Sequence, residues 1–186
     1  MGVSSGEGTA INSFALVAYL PDPLIGFVDK VRQEIEPGCH LHAHLTFLPP
    51  RPVSVSVAQI AQQLAERLRI CQPFRVQLGD IHVFPVTQVV HLSIDAGFNE
   101  AKHIHETLNR GDLAFVESFH YHPHVTLGQH LTIAEVDPAV ELARTRWREY
   151  KGDRFFIADH LTLVQNTQED VWRNLKDFPL GTPVHA

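Results

Sequence analysis

Polar and apolar residues alternate along two short segments of the chain, and both segments are rich in histidine. In His40 to Leu48 the even positions are three histidines, a threonine and a leucine, whereas the odd positions are all apolar. In His120 to Gly128 the even positions are again three histidines, a threonine and then a glycine, while Val125 and Leu127 take the other parity. Because successive side chains of a strand point to opposite faces, each segment is predicted to be a half-buried strand that presents imidazoles and a hydroxyl on one face.

Apolar residues at helical spacing predict four helices around these strands. The first helix begins with Pro23 after an Asp22 cap and ends at Gly38, and the second is capped by Ser54 or Ser56. The remaining predicted elements are a helix over 98–108, a helix that starts at Thr132 or at Asp137 and runs toward Tyr150, and strands over 14–20, 74–84, 88–95, 155–164 and 171–178.

The order of these predicted elements is repeated. The first half reads strand, helix, histidine strand, helix, strand, with a break expected at Pro49-Pro50, and the second half repeats this order from Gln88 with one strand added. Such a duplication predicts an α+β fold with two lobes and antiparallel or mixed sheets around a central cleft. The two histidine strands would lie side by side or face each other there, so we expect the active site in that cleft.

Composition and charge narrow the range of functions. The chain has 186 residues, 44% of them hydrophobic, which is enough for one core. Residues 1–12 are polar and predicted to form a flexible tail, which leaves 13–186 as a single bilobal domain. The net charge of −6 argues against a positive surface that grips long duplex nucleic acid.

Cysteine usage and hydropathy indicate where the protein works. The only cysteines are Cys39 and Cys71, without a C-x-x-C motif, so neither a disulfide framework nor a cysteine zinc site is predicted. No apolar stretch reaches the roughly 18 residues that a membrane-spanning helix needs. We therefore expect a cytoplasmic protein with no membrane partner. We also expect it to be a monomer.

The candidate chemistry lies in a repeated H-x-T motif, formed by His44 with Thr46 and by His124 with Thr126. Side chains two residues apart on a strand share one face about 6.5–7 Å apart, so a single phosphate could contact both. One neutral imidazole can take a proton from the attacking water, while an imidazolium on the opposite side protonates the leaving oxygen. The hydroxyls can hold the other phosphate oxygens. The pattern leaves open which histidine is the acid and which the base.

With these motifs, the sequence resembles the two-histidine phosphoesterase superfamily, and within it the 2'-5' RNA ligase or RNA 2',3'-cyclic phosphodiesterase group. The similarity lies in His44 to Phe47, in His122 to Gly128, in Phe156 to Leu163 and in the strand ending near Phe178 to Leu180. The resemblance implies a bilobal fold and metal-independent hydrolysis, without a cofactor, of a cyclic-phosphate RNA end or a cyclic nucleotide. It also implies that the two histidines and two threonines of the H-x-T motifs form the catalytic quartet, with 2'-5' ligation as the reverse reaction.

The outer histidines leave two alternatives open. His40, His42, His120 and His122 extend the pattern, and an H-x-H pair on a strand can bind zinc, which would make the protein a zinc-dependent hydrolase. Otherwise these residues are histidines at the cleft edge or in turns. A third hypothesis is a binding module for RNA or nucleotides that has the fold but no activity.

Two further groups of residues could contact RNA. A basic cluster could bind phosphates, although interleaved acidic residues favour a solvated helix face; its members are Arg144, Arg146, Arg148, Lys151 and Arg154. Phe84, Phe119 and Tyr121 could stack on a base at the cleft, or they could belong to the core.

Overall fold

A computed structural model describes residues 12–168 and 171–181 of the chain. The strands are β1 (Ser13–Tyr19), β2 (His44–Pro52), β3 (Phe74–Val83), β4 (Val90–Ala96), β5 (Val125–Gly128), β6 (Phe155–Ala158), β7 (His160–Gln168) and β8 (Val171–Pro179), and the helices are α1 (Leu24–Ile35), α2 (Val57–Leu68), α3 (Phe98–Leu108) and α4 (Ile133–Glu149). Of the expected tail over 1–12, only Asn12 lies within the described residues. No helix in the described part is long and apolar enough to cross a membrane.

The strands form one antiparallel sheet in the order β6-β3-β4-β5-β2-β1-β7-β8. The two histidine strands, β2 and β5, are neighbours at its centre, where the register joins them through the pair Leu45 and Val125. Four strands on either side of that junction make two lobes. The predicted α+β bilobal architecture is therefore confirmed, with the histidine strands side by side.

Each lobe combines elements from both halves of the sequence. β3 follows the first-half helix α2 but pairs with β4 in the second lobe, and β7 pairs with β1 in the first lobe. The helices also cross over, because α1 packs on β5 and α3 packs on β2. The two halves of the chain are thus interlocked rather than merely adjacent.

The predicted single strand over 155–164 is wrong. Asp159 separates β6 from β7, and these two strands pair with β3 and β1 in different lobes. A local pattern of apolar residues does not show which strand each segment pairs with. The pattern therefore predicts one continuous strand where the structure has two.

The first histidine strand also differs from its prediction at both ends. It begins at His44 rather than His40, and it continues through Pro49 and Pro50 to Pro52 instead of breaking there. Proline is tolerated where its missing N–H faces no partner strand. β5 meets β2 only at Leu45, so beyond that pair β2 is hydrogen-bonded to β1 alone.

Capping side chains mark the start of two helices, α2 and α4. Ser56 accepts a hydrogen bond from the Gln59 backbone N–H and caps α2. At α4 the capping box of Thr132 and Glu135 sets the start, so the alternative start at Asp137 is wrong, and Pro138 is accommodated inside the helix. At α1 the predicted Asp22 cap is also wrong, because Pro23 occupies the cap position and makes no side-chain cap bond.

The core lies between the four helices and one face of the sheet. The apolar positions of both histidine strands are directed into it, and Leu45, Phe47 and Val125 are fully buried there. Because strand side chains alternate in direction, the imidazoles and hydroxyls between these residues are left on the opposite face. That face is the cleft.

Candidate active site

The antiparallel register places the four candidate residues in one group. With Leu45 opposite Val125, His44 lies opposite Thr126 and Thr46 lies opposite His124. All four side chains are partly exposed. Directly opposed Cβ atoms in such a ladder are about 4.5–5.5 Å apart and diagonal ones about 7–8 Å, so the two histidines stand diagonally across a space that suits one phosphate.

Both motifs have the same local structure. The register of β2 against β1 skips Phe47, and that of β5 against β4 skips Leu127, so a bulge follows each threonine. The order of buried, partly buried and exposed side chains is also identical along 41–50 and 121–130. The repeat predicted from the sequence is therefore reproduced in the backbone and in the burial of each motif.

The same hydrogen bond orients both imidazoles. Nδ1 of His44 lies 2.6 Å from the carbonyl oxygen of His42, and Nδ1 of His124 lies 2.7 Å from that of His122. A carbonyl oxygen only accepts, so Nδ1 carries the hydrogen in each ring. The neutral ring then has an unprotonated Nε2, which is the nitrogen that a proton-transfer reaction can use.

Burial keeps both imidazoles neutral. Burial, with a smaller contribution from the charge of Arg32, lowers the pKa of His44 to about 4, although the hydrogen bond to the His42 carbonyl opposes this shift. Burial also lowers the pKa of His124, partly offset by the bond to the His122 carbonyl. At neutral pH each ring can therefore accept a proton, and an anion in the cleft is what would favour an imidazolium.

A cavity of about 520 Å³ opens at the Thr46 and His124 end of the quartet. Its wall is mainly apolar and aromatic and includes Phe84, Val86, Val89, Phe115, Phe119 and Tyr121. Glu117 also lines it, whereas no lysine or arginine of the described residues does. The three aromatic residues that the sequence left between stacking and core roles all lie in this wall.

Phe84 connects the cavity to the quartet. Its ring meets His124 edge to face, with centroids 4.9 Å apart, and stacks on His91 at 3.9 Å. His91 is a buried residue of β4 directly opposite Thr126, and burial lowers its pKa to about 4. Sequence reasoning missed His91, whose one signal is a lone imidazole within an apolar strand.

The two threonine carbonyls are held by unlike groups. The carbonyl oxygen of Thr46 accepts a 2.7 Å hydrogen bond from the Tyr121 hydroxyl, and that of Thr126 accepts a 2.7 Å bond from Nη1 of Arg32. Burial raises the pKa of Tyr121, so this donor stays neutral. One end of the quartet thus lies beside a fixed positive charge and the other beside an apolar cavity.

The outer histidines do not join the quartet. Nδ1 of His42 lies at hydrogen-bond distance, 2.7 Å, from Oδ2 of Asp29, and His40 is exposed. His120 and His122 line the cavity. Over residues 12–168 and 171–181, no group of three or more His, Cys, Asp or Glu side chains is arranged to hold a metal ion.

No member of the basic cluster of α4 and the loop after it lines this cavity. Arg146 pairs with Glu34 at 2.7 Å and with Glu149 at 3.4 Å, and Arg144 pairs with Glu141 at 3.3 Å. These pairs agree with a solvated helix face.

Comparison with known proteins supports the fold. The protein-family model described as the 2'-5' RNA ligase superfamily matches residues 20–170. E. coli LigT complexed with phosphate has a TM-score of 0.62 at 16% identity, covering 94% of this chain and 100% of that one. Kluyveromyces marxianus Usb1 has a TM-score of 0.52 at 12% identity, covering 92% and 99%. At such identities the likeness establishes the fold alone. No curated protein matches the sequence.

Proposed function

Since the chain belongs to the 2'-5' RNA ligase superfamily, we propose that it hydrolyses a 2',3'-cyclic phosphate carried by an RNA end or a small nucleotide. The reaction needs no metal ion, because two imidazoles supply both proton transfers. Thr46 and Thr126 hold the non-bridging oxygens of the phosphate. The reverse of the same reaction is 2'-5' ligation.

The chemical step is an in-line displacement. The base histidine takes a proton through Nε2 from water, the water oxygen bonds to phosphorus, and the bond from phosphorus to one ribose oxygen breaks. The acid histidine gives its Nε2 proton to that ribose oxygen. The apolar cavity beside His124 suits the uncharged ribose and base, so His124 is the acid and His44 the base. Ligation exchanges the two roles.

The observation that carries this proposal is the matched pair of hydrogen bonds from Nδ1 to a backbone carbonyl. They leave an Nε2 free on each of two imidazoles that stand diagonally across the strand pair, where Cβ atoms are about 7–8 Å apart. A binding module that only recognises RNA has no need for this matched orientation.

A substrate panel tests the proposal. The purified protein is incubated with 2',3'-cyclic mononucleotides, oligonucleotides ending in a cyclic phosphate, and ADP-ribose cyclic phosphate, and the regiochemistry of the products is determined. We expect turnover of at least one substrate and no loss of rate with a chelator. Binding without turnover of any substrate would favour the non-catalytic module, and zinc-dependent turnover would favour the hydrolase built on the outer histidines.

We further propose that the protein acts in the cytoplasm as a monomer. Both cysteines, Cys39 and Cys71, are free, as is usual in a reducing compartment. Light scattering after size-exclusion chromatography tests the second point, and a dimer mass would contradict it.

A further inference from the structure

Among the described residues two arginines are buried, and only one of them has a carboxylate partner. Arg51 and Arg32 are each only 2% exposed. Nη2 of Arg51 lies 2.7 Å from Glu117, which neutralises its charge. Arg32 forms no ion pair with any carboxylate in the described part of the chain.

The contacts of Arg32 place its guanidinium next to the backbone of Thr126, a member of the quartet. Nη1 donates to the Thr126 carbonyl at 2.7 Å, and Nη2 donates to Sγ of Cys39 at 3.2 Å. Nε is buried and has no hydrogen-bond partner. The guanidinium therefore bridges from α1 to β5 and to the segment before β2, at the end of the quartet formed by Thr126 and His44.

A buried charge without a counter-charge is strongly unfavourable, and proteins normally pair it. The second buried arginine follows that rule through Glu117, which makes the isolation of Arg32 informative. An anion in the cleft, across the backbone of Thr126, would supply the missing charge. The lowering of the His44 pKa by Arg32 agrees with a field that extends to this face.

We propose that Arg32 is a positioning residue whose charge, acting through Thr126 and not by contact, helps hold the substrate's phosphate within the quartet from the side of His44 and Thr126. This inference rests on the proposed function. It explains the polarity of the site: the anion is drawn toward the guanidinium, and the uncharged part of the substrate is left to the apolar cavity beside His124.

The test compares neutral and charged replacements. Inorganic phosphate is titrated by calorimetry into the wild-type protein and into Arg32→Met, Arg32→Gln and Arg32→Lys. A unit charge a few ångströms away at an intermediate effective dielectric changes binding by about tenfold or more. We expect that loss of affinity in the Met and Gln variants and most of the affinity to return in the Lys variant.

A pH titration separates the charge from a merely structural role. The His44 imidazole, followed by NMR, should titrate at a higher pH in the neutral variants, because the cation that lowers its pKa is gone. Arg67→Met is the matched control: Arg67 also donates to a backbone carbonyl, that of Leu108 at 2.8 Å, but lies outside the quartet. This control should bind phosphate like the wild type.

Several results would overturn the inference: wild-type affinity in both neutral variants, an Arg32→Lys variant as weak as Arg32→Met, or a wild-type protein that binds no phosphate. If the neutral variants fail to fold, the Arg32→Lys variant alone tests the inference. A loss of phosphate affinity beyond about tenfold in that variant would contradict a charge-based role. Failure of the proposed function would show differently, as a wild-type protein that cleaves no cyclic phosphate.

Discussion

The hydroxyl of Tyr121 donates a hydrogen bond to the backbone carbonyl of Thr46, with 2.7 Å between the two oxygens. The ring of Tyr121 stacks on His105 at 3.9 Å, and Nδ1 of His105 lies 2.8 Å from the carbonyl oxygen of Phe47. These contacts hold the irregular segment before β5 against β2, next to the H-x-T motif of His44 and Thr46. Because the β2 and β5 register has only one pair, these contacts help hold the two motifs together.

Tyr121→Phe should lower the free energy of unfolding by about 1 kcal/mol, because the Thr46 carbonyl loses its donor while the stacked ring is kept. Urea denaturation measures the change. Tyr19→Phe is the control, since the Tyr19 hydroxyl bonds to Asn174 at an exposed position and should matter less. An equal loss of unfolding free energy in the two variants would show that the Tyr121 hydrogen bond stabilises the fold no more than the exposed Tyr19 bond does.

Replacing Thr46 or Thr126 by valine should reduce kcat on the order of 10²-fold, because in the proposed mechanism each hydroxyl donates to a phosphate oxygen on which charge develops. Steady-state kinetics with the best substrate of the panel measures it. Thr162→Val is the control, since Thr162 faces the cleft side of β7 and bonds to Asp177 instead. Unchanged kcat in both quartet variants would make the threonines structural.

Stability should fall as the pH is lowered from 6.5 toward about 4. Burial depresses the pKa of His44 and of His91 to about 4, so the unfolded chain, with ordinary imidazoles, takes up protons first. Above the unfolded pKa of 6.5 this contribution is constant. His91→Gln should therefore unfold with a shallower pH dependence than the wild type in urea. An identical slope between pH 6.5 and 4.5 would contradict the buried neutral imidazole.

The outer histidines should be dispensable. His42→Ala and His122→Ala are expected to keep most of the activity, because neither supplies its ring to the quartet and only their backbone carbonyls orient it. Kinetics and metal analysis of both variants test this. Loss of bound zinc together with activity would instead support a metal site.

The two H-x-T motifs and the strand face on which their side chains lie could be predicted from the sequence, because both depend only on neighbouring residues. Alternation over a few residues determines which face each side chain takes, so the quartet and the buried partners Leu45 and Val125 were both predicted. The duplicated order of elements also followed from local periodicity. The exchange of β3 and β7 between lobes did not, since strand pairing depends on partners far away in the chain.

Arg32 and His91 were missed for a related reason. Each is a polar residue in an apolar stripe, and the pattern alone does not tell whether such a residue is buried. Their importance depends on neighbours from other elements, Thr126 in both cases. The asymmetry of the site likewise needs the structure, because both motifs read alike in the sequence.

The most direct test of the central claim is the activity of His44→Ala, His124→Ala and the double variant on one cyclic phosphate. If both imidazoles serve a single proton-transfer cycle, each single variant should lose about 10²-fold or more in kcat, and the double variant should be little worse than either. Circular dichroism should show all three folded, because the core-facing side chains of β2 and β5 are untouched. Additive losses, or substantial turnover by either single variant, would contradict the account.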